Sequence, residues 1–259
     1  MTDTFVSDIQ VLNTANWTFP RSMMVPFGDD ELVTSKCPCY LLDHPDALVL
    51  FDTGISHEMA ADPESYGPHG APHMTEFLPT LELVRTPTDA LAEVGYEPED
   101  VDHVVLSHLH TDHAGNVDQF PTAEIHVHVD ELRYAWWPDP AQTAFYLGGD
   151  LAALQSPETS VTEITGRTDL LGDGSIEIAP TPGHSPGHQS LLVDCGDELV
   201  ILAGDAANSR AGYEAELPAP FSWSAAEGVS SIRALKREAR ETDATVVVHH
   251  DADDLVQLE

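Results

Sequence analysis

Apolar residues along the chain fall into short runs of β-forming residue types, and segments with helical spacing separate several of these runs. The runs predict seven strands, at residues 39–42, 47–52, 103–107, 124–129, 190–194, 199–203 and 245–249. Helical spacing with capping or stopping residues nearby predicts helices at residues 88–94, 129–136 and 225–240. No repeat, low-complexity linker or change of composition divides the chain. The pattern therefore predicts one mixed α/β domain over residues 1–259.

Three of the predicted strands end in residues that commonly bind metals. The strand at 103–107 continues into SHLHTDHAGN, the strand at 199–203 ends at Gly204-Asp205, and the strand at 245–249 ends at His250-Asp251. In α/β proteins, functional side chains usually lie on loops at one edge of a rigid sheet. We therefore expect these three strand ends to form one site.

The segment HLHTDH carries four candidate ligands within six residues: His108, His110, Asp112 and His113. Imidazole nitrogens and carboxylate oxygens are the usual ligands of zinc and similar metals. Alternation in an extended stretch points His108 and His110 to the same side, where one ion can take both. Asp112 and His113 follow a turn and can face a second ion.

Two ions need further donors, and three occur later in the chain: His184 in TPGHSPGHQS, Asp205 in LAGDAA and His250 in VVVHHD. The predicted sets are His108, His110 and His184 on one ion, and Asp112, His113 and His250 on the other, with Asp205 as the bridge. A carboxylate can span two ions about 3.5–4 Å apart, and zinc lowers the pKa of bound water to about 7. The residues therefore predict a hydrolase with two divalent ions. Zinc is the first expectation, and iron, cobalt and manganese suit the same ligands.

The other nine histidines are interpreted as ordinary polar residues of an acidic protein: His44, His57, His69, His73, His103, His126, His128, His188 and His249. The pair His126 and His128 shows that an isolated HxH pattern arises easily. His250 is preferred to His249 because strand alternation lets only one of them point at the metals.

The charge balance of the chain excludes some partners. Ten Lys and Arg residues stand against 45 Asp and Glu residues, which gives a net charge of −35. Nucleic acids and anionic membranes are normally bound by clustered Lys and Arg, so neither is expected as a partner. A hydrophobic fraction of 42% argues against disorder. We interpret the charge as adaptation to high salt, because the Debye length falls to about 3 Å at 1 M.

Cysteine usage and the absence of targeting signals suggest the cytoplasm, here the cytoplasm of a halophile. Cys37, Cys39 and Cys195 form neither a disulfide framework nor paired CxxC knuckles, so we expect reduced thiols. The first thirty residues show no export signal, and no segment reaches the length of a membrane span. A monomer and a homodimer both remain open.

The motifs HLHTDHAGN, TPGHSPGHQS, GD and HHD, in this order, resemble the metallo-β-lactamase superfamily. That resemblance implies an αββα four-layer sandwich with the metals at one sheet edge. Within the superfamily the chain is most similar to the N-acyl homoserine lactonase family, from about residue 36 to the end, including CPCYLLDHPDALVLFDTG and SIRALKREARETDATVVVHHDADD. The implied reaction is opening of a lactone ring by a metal-bridging hydroxide. Asp112, beside that hydroxide, is expected to carry a proton to the leaving alkoxide.

The chain departs from the lactonase pattern at one substrate-binding position. The family has a tyrosine three residues after the bridging aspartate, where this chain has Asn208. An amide still donates a hydrogen bond but is shorter than a phenol. Asn208, or Tyr213 if its loop folds inward, is therefore the candidate that holds the substrate carbonyl.

Other functions of the same superfamily remain as alternatives. A different ester, a thioester (as in hydroxyacylglutathione hydrolases) or an organophosphate is a possible substrate. Zinc β-lactamases lack an aspartate at the position of Asp205, which argues against that activity. A non-catalytic metal-binding protein is also conceivable. Structural zinc sites, however, are usually closed and often rich in cysteine, whereas this donor set contains no cysteine and leaves open positions.

Three further features are assigned from the sequence. Asp52, in the turn FDTG, is a candidate to orient a ligand histidine. Cys37 and Cys39 are interpreted as buried thiols rather than ligands. An acyl chain would need an apolar groove, for which the candidates are Met23, Met24, Phe27, Phe77, Trp136, Trp137, Phe145, Tyr146, Phe221 and Trp223, with the segment 23–27 preferred.

Overall fold

The computed structural model describes residues 4–67 and 78–258. Two histidines interpreted as ordinary polar residues, His69 and His73, and the groove candidate Phe77 lie outside the described residues.

The described chain contains twelve strands and nine α-helices. The strands, numbered in chain order, are β1 (Asp8–Pro20), β2 (Leu32–His44), β3 (Ala47–Phe51), β4 (Leu81–Leu83), β5 (His103–Val105), β6 (Glu124–His128), β7 (Ser160–Ile164), β8 (Thr168–Asp169), β9 (Ile176–Pro180), β10 (Gln189–Asp194), β11 (Leu199–Leu202) and β12 (Thr245–Val247). The α-helices are α1 (Arg21–Met24), α2 (His57–Ala61), α3 (Pro87–Glu93), α4 (Thr111–Ala114), α5 (Val129–Ala135), α6 (Gly148–Leu154), α7 (Arg210–Ala215), α8 (Ala225–Thr242) and α9 (Ala252–Leu255). Short 3₁₀ turns occur at Pro63–Tyr66, Leu78–Thr80, Pro98–Asp100, Val117–Gln119, Gly204–Ala206 and Val256–Leu258.

The strands form two sheets. The first has the spatial order β4-β1-β2-β3-β5-β6-β7, and the second has the order β12-β11-β10-β9-β8. In the first sheet β3, β5, β6 and β7 run parallel to one another, whereas β3 is antiparallel to β2. In the second sheet only β11 and β12 pair in parallel. Parallel strands deliver their carboxyl ends to the same edge, which places the loops after β5 and β6 side by side.

Three apolar layers hold the sheets and helices together. Between the sheets, residues such as Phe51 and Val105 pack against Ile178 and Leu191 of the second sheet. On the outer face of the first sheet a cluster that includes Leu50 packs against residues of α3 and α5. On the outer face of the second sheet another cluster packs against α8. The arrangement of helix, sheet, sheet and helix is the predicted four-layer sandwich, and that prediction is confirmed.

The longest helix shows why its sequence is helical. The Ser224 side chain caps its first turn by accepting from the Glu227 backbone N–H. Ile232 and Leu235, three positions apart, lie on the buried face. The helix ends where Asp243 adopts a left-handed conformation with φ 58°. Among the residues that the structure describes, no helix is long and apolar enough to cross a membrane.

The first strand is the main difference from the predicted elements. The pattern predicted no element at residues 8–20, yet β1 pairs with β2 over nearly its whole length. Its apolar and polar residues alternate irregularly because the pairing contains a bulge between Asn13 and Ala15. This strand contributes Trp17 and Phe19 to the pocket described below.

Candidate metal centre and its pocket

The fold brings the seven predicted ligands together at one edge of the sandwich. They come from the loop after β5 and helix α4, the loop between β9 and β10, and the ends of β11 and β12: His108, His110, Asp112, His113, His184, Asp205 and His250. All but Asp112 are buried, and the Asp112 side chain is 19% exposed.

The first group of donors consists of His108, His110 and His184. One ligand atom from each lies within 4.8 Å of the others. The Nε2 atom of His184 is 3.0 Å from the Nδ1 atom of His110. Three imidazoles at this spacing fit the coordination sphere of one ion.

The second group lies beside the first and shares Asp205 with it. The Nε2 atom of His250 is 3.5 Å from Asp112 Oδ2 and 3.3 Å from Asp205 Oδ1. The Nε2 atom of His113 is 3.7 Å from Asp112 Oδ2 and 3.6 Å from Asp205 Oδ1. The other Asp205 oxygen, Oδ2, faces His184 at 3.4 Å. One oxygen of Asp205 thus faces each group, which is the arrangement of a bridging carboxylate.

Hydrogen bonds on the far side of the rings leave the inward nitrogens free. His113 donates through Nδ1 to Asp52 (2.8 Å), and His250 donates through Nδ1 to the Lys36 carbonyl (2.6 Å). The Nε2 atom of His110 forms a hydrogen bond of 3.3 Å with the side-chain carbonyl oxygen of Gln142. Metal-binding histidines typically have this second partner, which fixes the tautomer.

Unsatisfied atoms show that the donor set fits divalent ions. The Nε2 atoms of His108 and His113 and the Oδ1 atom of Asp205 are buried, and no residue of the described chain forms a hydrogen bond with them. Buried polar atoms without partners are costly and rare in proteins. A pair of cations in the space that these atoms face would satisfy them, and imidazole with carboxylate is a donor set for such ions.

Burial and neighbouring charges shift the pKa values differently in the two donor groups. Desolvation lowers the pKa values of His110 and His184 to about 3, so both rings are neutral. Burial alone would raise the pKa of Asp205, but the surrounding His250, His113 and His184 hold it well below its usual range. Near neutral pH the first group therefore offers neutral nitrogens, and Asp205 offers an ionised carboxylate. Burial alone would lower the pKa values of His113 and His250, but Asp112 and Asp205 outweigh it and raise them, so these two rings release protons when an ion binds.

Asp52 supports the second group, as the turn FDTG suggested. Its carboxylate accepts from the Ser107 backbone N–H (2.7 Å), the Ser107 hydroxyl (2.9 Å) and His113. The residue has a φ of 63°, a left-handed conformation that few side chains other than Asp and Asn tolerate. This backbone geometry turns the carboxylate back toward His113.

Glu131 is a buried carboxylate that the sequence analysis did not identify. It lies on α5 and joins the two segments that carry the first donor group. One oxygen accepts from the Leu109 backbone N–H (3.0 Å) and the Tyr146 hydroxyl (2.8 Å). The other accepts from the Ser185 hydroxyl (2.6 Å) and the Gly187 backbone N–H (3.0 Å). Leu109 lies between two ligands and Ser185 follows a third, so Glu131 holds their loops at a fixed separation.

Two histidines interpreted as ordinary polar residues also belong to the surroundings of the centre. The Nε2 atom of His188 accepts from the Asp205 backbone N–H at 2.8 Å, and burial lowers its pKa to about 3. His249 is fully buried, with its ring against Tyr40 and 4.4 Å from the ring of His113. His250, rather than His249, faces Asp112 and Asp205. The motif GHQS contains His188 and pointed to this residue, but the sequence alone did not assign it a place beside the metal centre.

The two candidates for holding the substrate carbonyl lie in different places. Asn208 is buried at the wall of the pocket, where its Nδ2 donates to Asp205 Oδ2 at 2.6 Å. Tyr213 is not brought to the pocket, so the expectation that its loop folds inward has to be corrected. Its ring packs beneath α8 and lies against Arg210 and Lys236. Tyr213 lies on the side of α7 that packs against Ile232 and Leu235 of α8, which turns the ring away from the pocket.

An apolar pocket opens onto the donor groups. It encloses about 670 Å³ including its mouth, and its apolar wall is formed by Trp17, Phe19, Met23, Met24, Phe145 and Phe221. Of the predicted groove residues, Phe27 and Trp137 are instead largely exposed, and Tyr146 is buried against Glu131. Cys37 is a buried free thiol that also lines the pocket, and Cys39 is buried in the core.

Comparisons with known proteins agree with this architecture. Residues 33–250 match the Metallo-beta-lactamase superfamily. The N-acyl homoserine lactonase AttM of Rhizobium radiobacter is 34% identical over 221 residues, which cover 83% of this chain and 82% of that protein. The N-acyl homoserine lactonase of Bacillus cereus is 31% identical over 215 residues, 82% of this chain and 80% of that protein.

A solved structure extends the similarity to almost the whole chain. It is an N-acyl homoserine lactone hydrolase with the product N-hexanoyl-L-homoserine bound at its catalytic metal centre. Its TM-score is 0.81 at 25% identity, and the alignment covers 98% of this chain and 96% of that one. The resemblance inferred from the motifs is confirmed: this chain belongs to the metallo-beta-lactamase superfamily and is similar within it to the N-acyl homoserine lactonases.

Proposed function

We propose that the protein is a metal-dependent lactonase that opens the ring of N-acyl homoserine lactones and so removes a quorum-sensing signal. The observation that carries the proposal is the direct opening of an apolar pocket onto two adjoining groups of metal donors. A pocket of this kind suits a substrate with an apolar tail and an ester at one end. The lactonases among the relatives, which align over more than four-fifths of the chain, support the same substrate class.

The donor groups assign a role to each ligand. His108, His110 and His184 would hold one divalent ion, Asp112, His113 and His250 would hold the other, and Asp205 would lie between them. When bound, such ions polarise an ester carbonyl and lower the pKa of water to about 7. We propose zinc for both positions, because imidazole and carboxylate are usual donors of catalytic zinc sites, although iron, cobalt and manganese accept the same donors.

Two side chains at the pocket wall would act on the substrate directly. Asp112 is partly exposed to the pocket, and we assign to it the transfer of a proton to the leaving alkoxide. Asn208 donates to Asp205 and has a second amide atom, Oδ1, that is buried and forms no hydrogen bond with the described residues. We assign to Asn208 the positioning of the bridging carboxylate through one Nδ2 hydrogen, while the second Nδ2 hydrogen would donate to the substrate carbonyl.

The apolar wall would bind the acyl chain. Met23 and Met24 line the pocket together with Phe145 and Phe221, and methionine adapts its shape to chains of different length. Each buried methylene contributes about 0.8 kcal/mol, so three or four methylenes account for roughly a hundredfold difference in KM between lactones. Met23→Ala and Met24→Ala should flatten this dependence on chain length.

A pH-stat assay in molar KCl tests the function. The metal-loaded protein is given a series of N-acyl homoserine lactones and, separately, a thioester. We expect acid release from the lactones by the wild type, none by Asp205→Ala, and full activity in the surface control Asp139→Ala. Turnover of the thioester without turnover of any lactone would refute the lactonase and favour a thioester hydrolase. A protein that binds metal but hydrolyses neither would be a non-catalytic metal-binding protein.

Four coarser properties complete the proposal. We propose that residues 1–259 form one hydrolase domain, because a single apolar layer joins the two sheets. We also propose that the protein works in a salt-rich cytoplasm as a monomer or homodimer. The net charge of −35 fits high salt and argues against nucleic acid or an anionic membrane as partner. If so, its melting temperature should rise between 0.1 M and 2 M KCl. Sedimentation in the same buffers would give the oligomeric state.

A further inference from the structure

Three side chains outside the metal centre form a second cluster of metal-type donors. They are His103 on β5 and Glu124 and His126 on β6, and one ligand atom from each lies within 4.8 Å of the others. The Nδ1 atom of His103 is 3.1 Å from the Nε2 atom of His126 and 3.8 Å from Glu124 Oε2. Two donors of a tetrahedral zinc ion are about 3.3 Å apart when each bond is about 2.05 Å. The observed separations are close to that value.

The strand register explains why these residues meet. In the parallel pair β5 and β6, His103 lies opposite Glu124, and Val105 lies opposite His126. Paired positions share a face of the sheet, and residues two apart on one strand share it too. His103, Glu124 and His126 therefore lie on one face. None of them lines the pocket at the metal centre, and His103 and Glu124 are the first residues of their strands, whereas the centre lies beyond the carboxyl ends.

Two further features make the cluster suitable for binding a cation. Thr162 on β7 donates a short hydrogen bond to Glu124 Oε1, which leaves Oε2 turned toward His103. Burial, together with the nearby His103, lowers the pKa of His126 to about 4. His126 is therefore neutral at physiological pH and needs no deprotonation to become a ligand. The side chains of His103 and Glu124 are 22% and 42% exposed, so an ion can enter from solvent.

We propose that His103, Glu124 and His126 bind a third divalent transition-metal ion, separate from the pair at the metal centre. Two imidazoles and one carboxylate favour zinc, nickel or copper over calcium or magnesium, which prefer oxygen ligands alone. The partial exposure leaves room for water in the remaining positions, which is typical of an exchangeable site. The proposal is independent of the lactonase function.

Metal stoichiometry tests the site directly. Untagged protein with its active-site ions in place is dialysed against buffered free zinc, and bound zinc is counted by mass spectrometry. We expect three zinc ions in the wild type, and two in His103→Gln and in Glu124→Gln. The matched control His128→Gln should keep three. His128 lies on the same strand, and its Nδ1 is already occupied by the Asp130 backbone N–H.

The Glu124→Gln variant distinguishes loss of the metal site from misfolding. Gln is nearly isosteric with Glu and can accept from Thr162, so circular dichroism and lactone hydrolysis should match the wild type in Glu124→Gln. Thr162→Val, which releases the carboxylate, should weaken binding of the third ion about 10- to 100-fold. Loss of the third ion is thus measured separately from any failure of hydrolysis.

Copper provides a spectroscopic test of the ligands. One equivalent of Cu²⁺ added to protein that carries zinc only at the metal centre should give an electron paramagnetic resonance spectrum with hyperfine splitting from two nitrogens. His103→Gln should lose this two-nitrogen spectrum. Saturation of the wild type at two zinc ions would overturn the proposal. A third ion that all variants retain would overturn it as well, since that ion would bind elsewhere.

Discussion

Replacing Glu131 by glutamine tests whether one buried carboxylate holds the first donor group together. Each carboxylate oxygen accepts one backbone N–H and one hydroxyl. The amide of Gln has a single oxygen, so one of the two pairs of donors faces an NH₂ group. A hydroxyl can rotate and accept instead, but the backbone N–H of Leu109 or Gly187 cannot.

The structure sets the size of the effect. A hydrogen bond to a charged group contributes about 1.5–3 kcal/mol, and a buried donor without a partner costs about 1–3 kcal/mol. The two contributions describe partly the same free energy and are not added in full. We therefore expect a loss of about 3 kcal/mol in the free energy of unfolding. For a chain of this size that is a fall of roughly 6–12 °C in melting temperature. Because Leu109 and Ser185 adjoin ligands, zinc affinity should also fall about 10- to 100-fold.

Urea denaturation and competition with a chromophoric chelator measure the two effects. Asp130→Asn is the matched control, because its side chain is exposed next to Glu131 on the same helix. It should change stability by less than about 0.5 kcal/mol. If Glu131→Gln were as stable as this control and bound zinc as tightly as the wild type, the carboxylate would not hold the two loops, and the reasoning would be refuted.

Three further predictions follow from other buried contacts. Burial raises the pKa of Asp150 to about 8. In metal-depleted protein the buried carboxyl therefore does not lower the free energy of unfolding below about pH 4, and it lowers it progressively as pH rises toward 8. Asp150→Asn should therefore raise the free energy of unfolding of that protein by about 5 kcal/mol at pH 8 and hardly change it at pH 4. Urea denaturation measures both values, and a gain that did not depend on pH would contradict this. Asn208→Ala removes the donor to Asp205 and should lower kcat/KM about 10- to 100-fold in the pH-stat assay, whereas unchanged kinetics would exclude a positioning role. Arg210→Ala leaves the buried Asp254 without its bidentate partner and should cost about 3 kcal/mol by calorimetry, and a loss below 1 kcal/mol would show that the Val248 N–H satisfies Asp254 alone.

Local sequence was enough to predict the seven candidate donors that the fold brings together, and most central strands. HLHTDH places four donors within six residues, and their type and spacing carry the chemistry before any folding is considered. The strands that lead to these motifs are continuous apolar runs, because parallel strands covered on both faces need them. The predicted strand at 47–52 and the observed β3 (Ala47–Phe51) differ by one residue.

Contacts between distant residues could not be predicted in the same way. Glu131 looks like any helix carboxylate until the fold places Leu109 and Gly187 against it, 22 and 56 residues away. The surface that Tyr213 contacts depends on how α8 packs against α7. The residues next to Tyr213 in the sequence do not encode that packing.

The cluster of His103, Glu124 and His126 shows the same division. As single residues they resemble a polar surface, and only the register of β5 with β6 brings their ligand atoms together. Residue type and spacing are local properties, so the sequence by itself determined which chemistry the chain can perform. Burial, strand register and the desolvation that shifts a pKa arise from segments far apart in the chain. Only the tertiary structure decided which side chains act together.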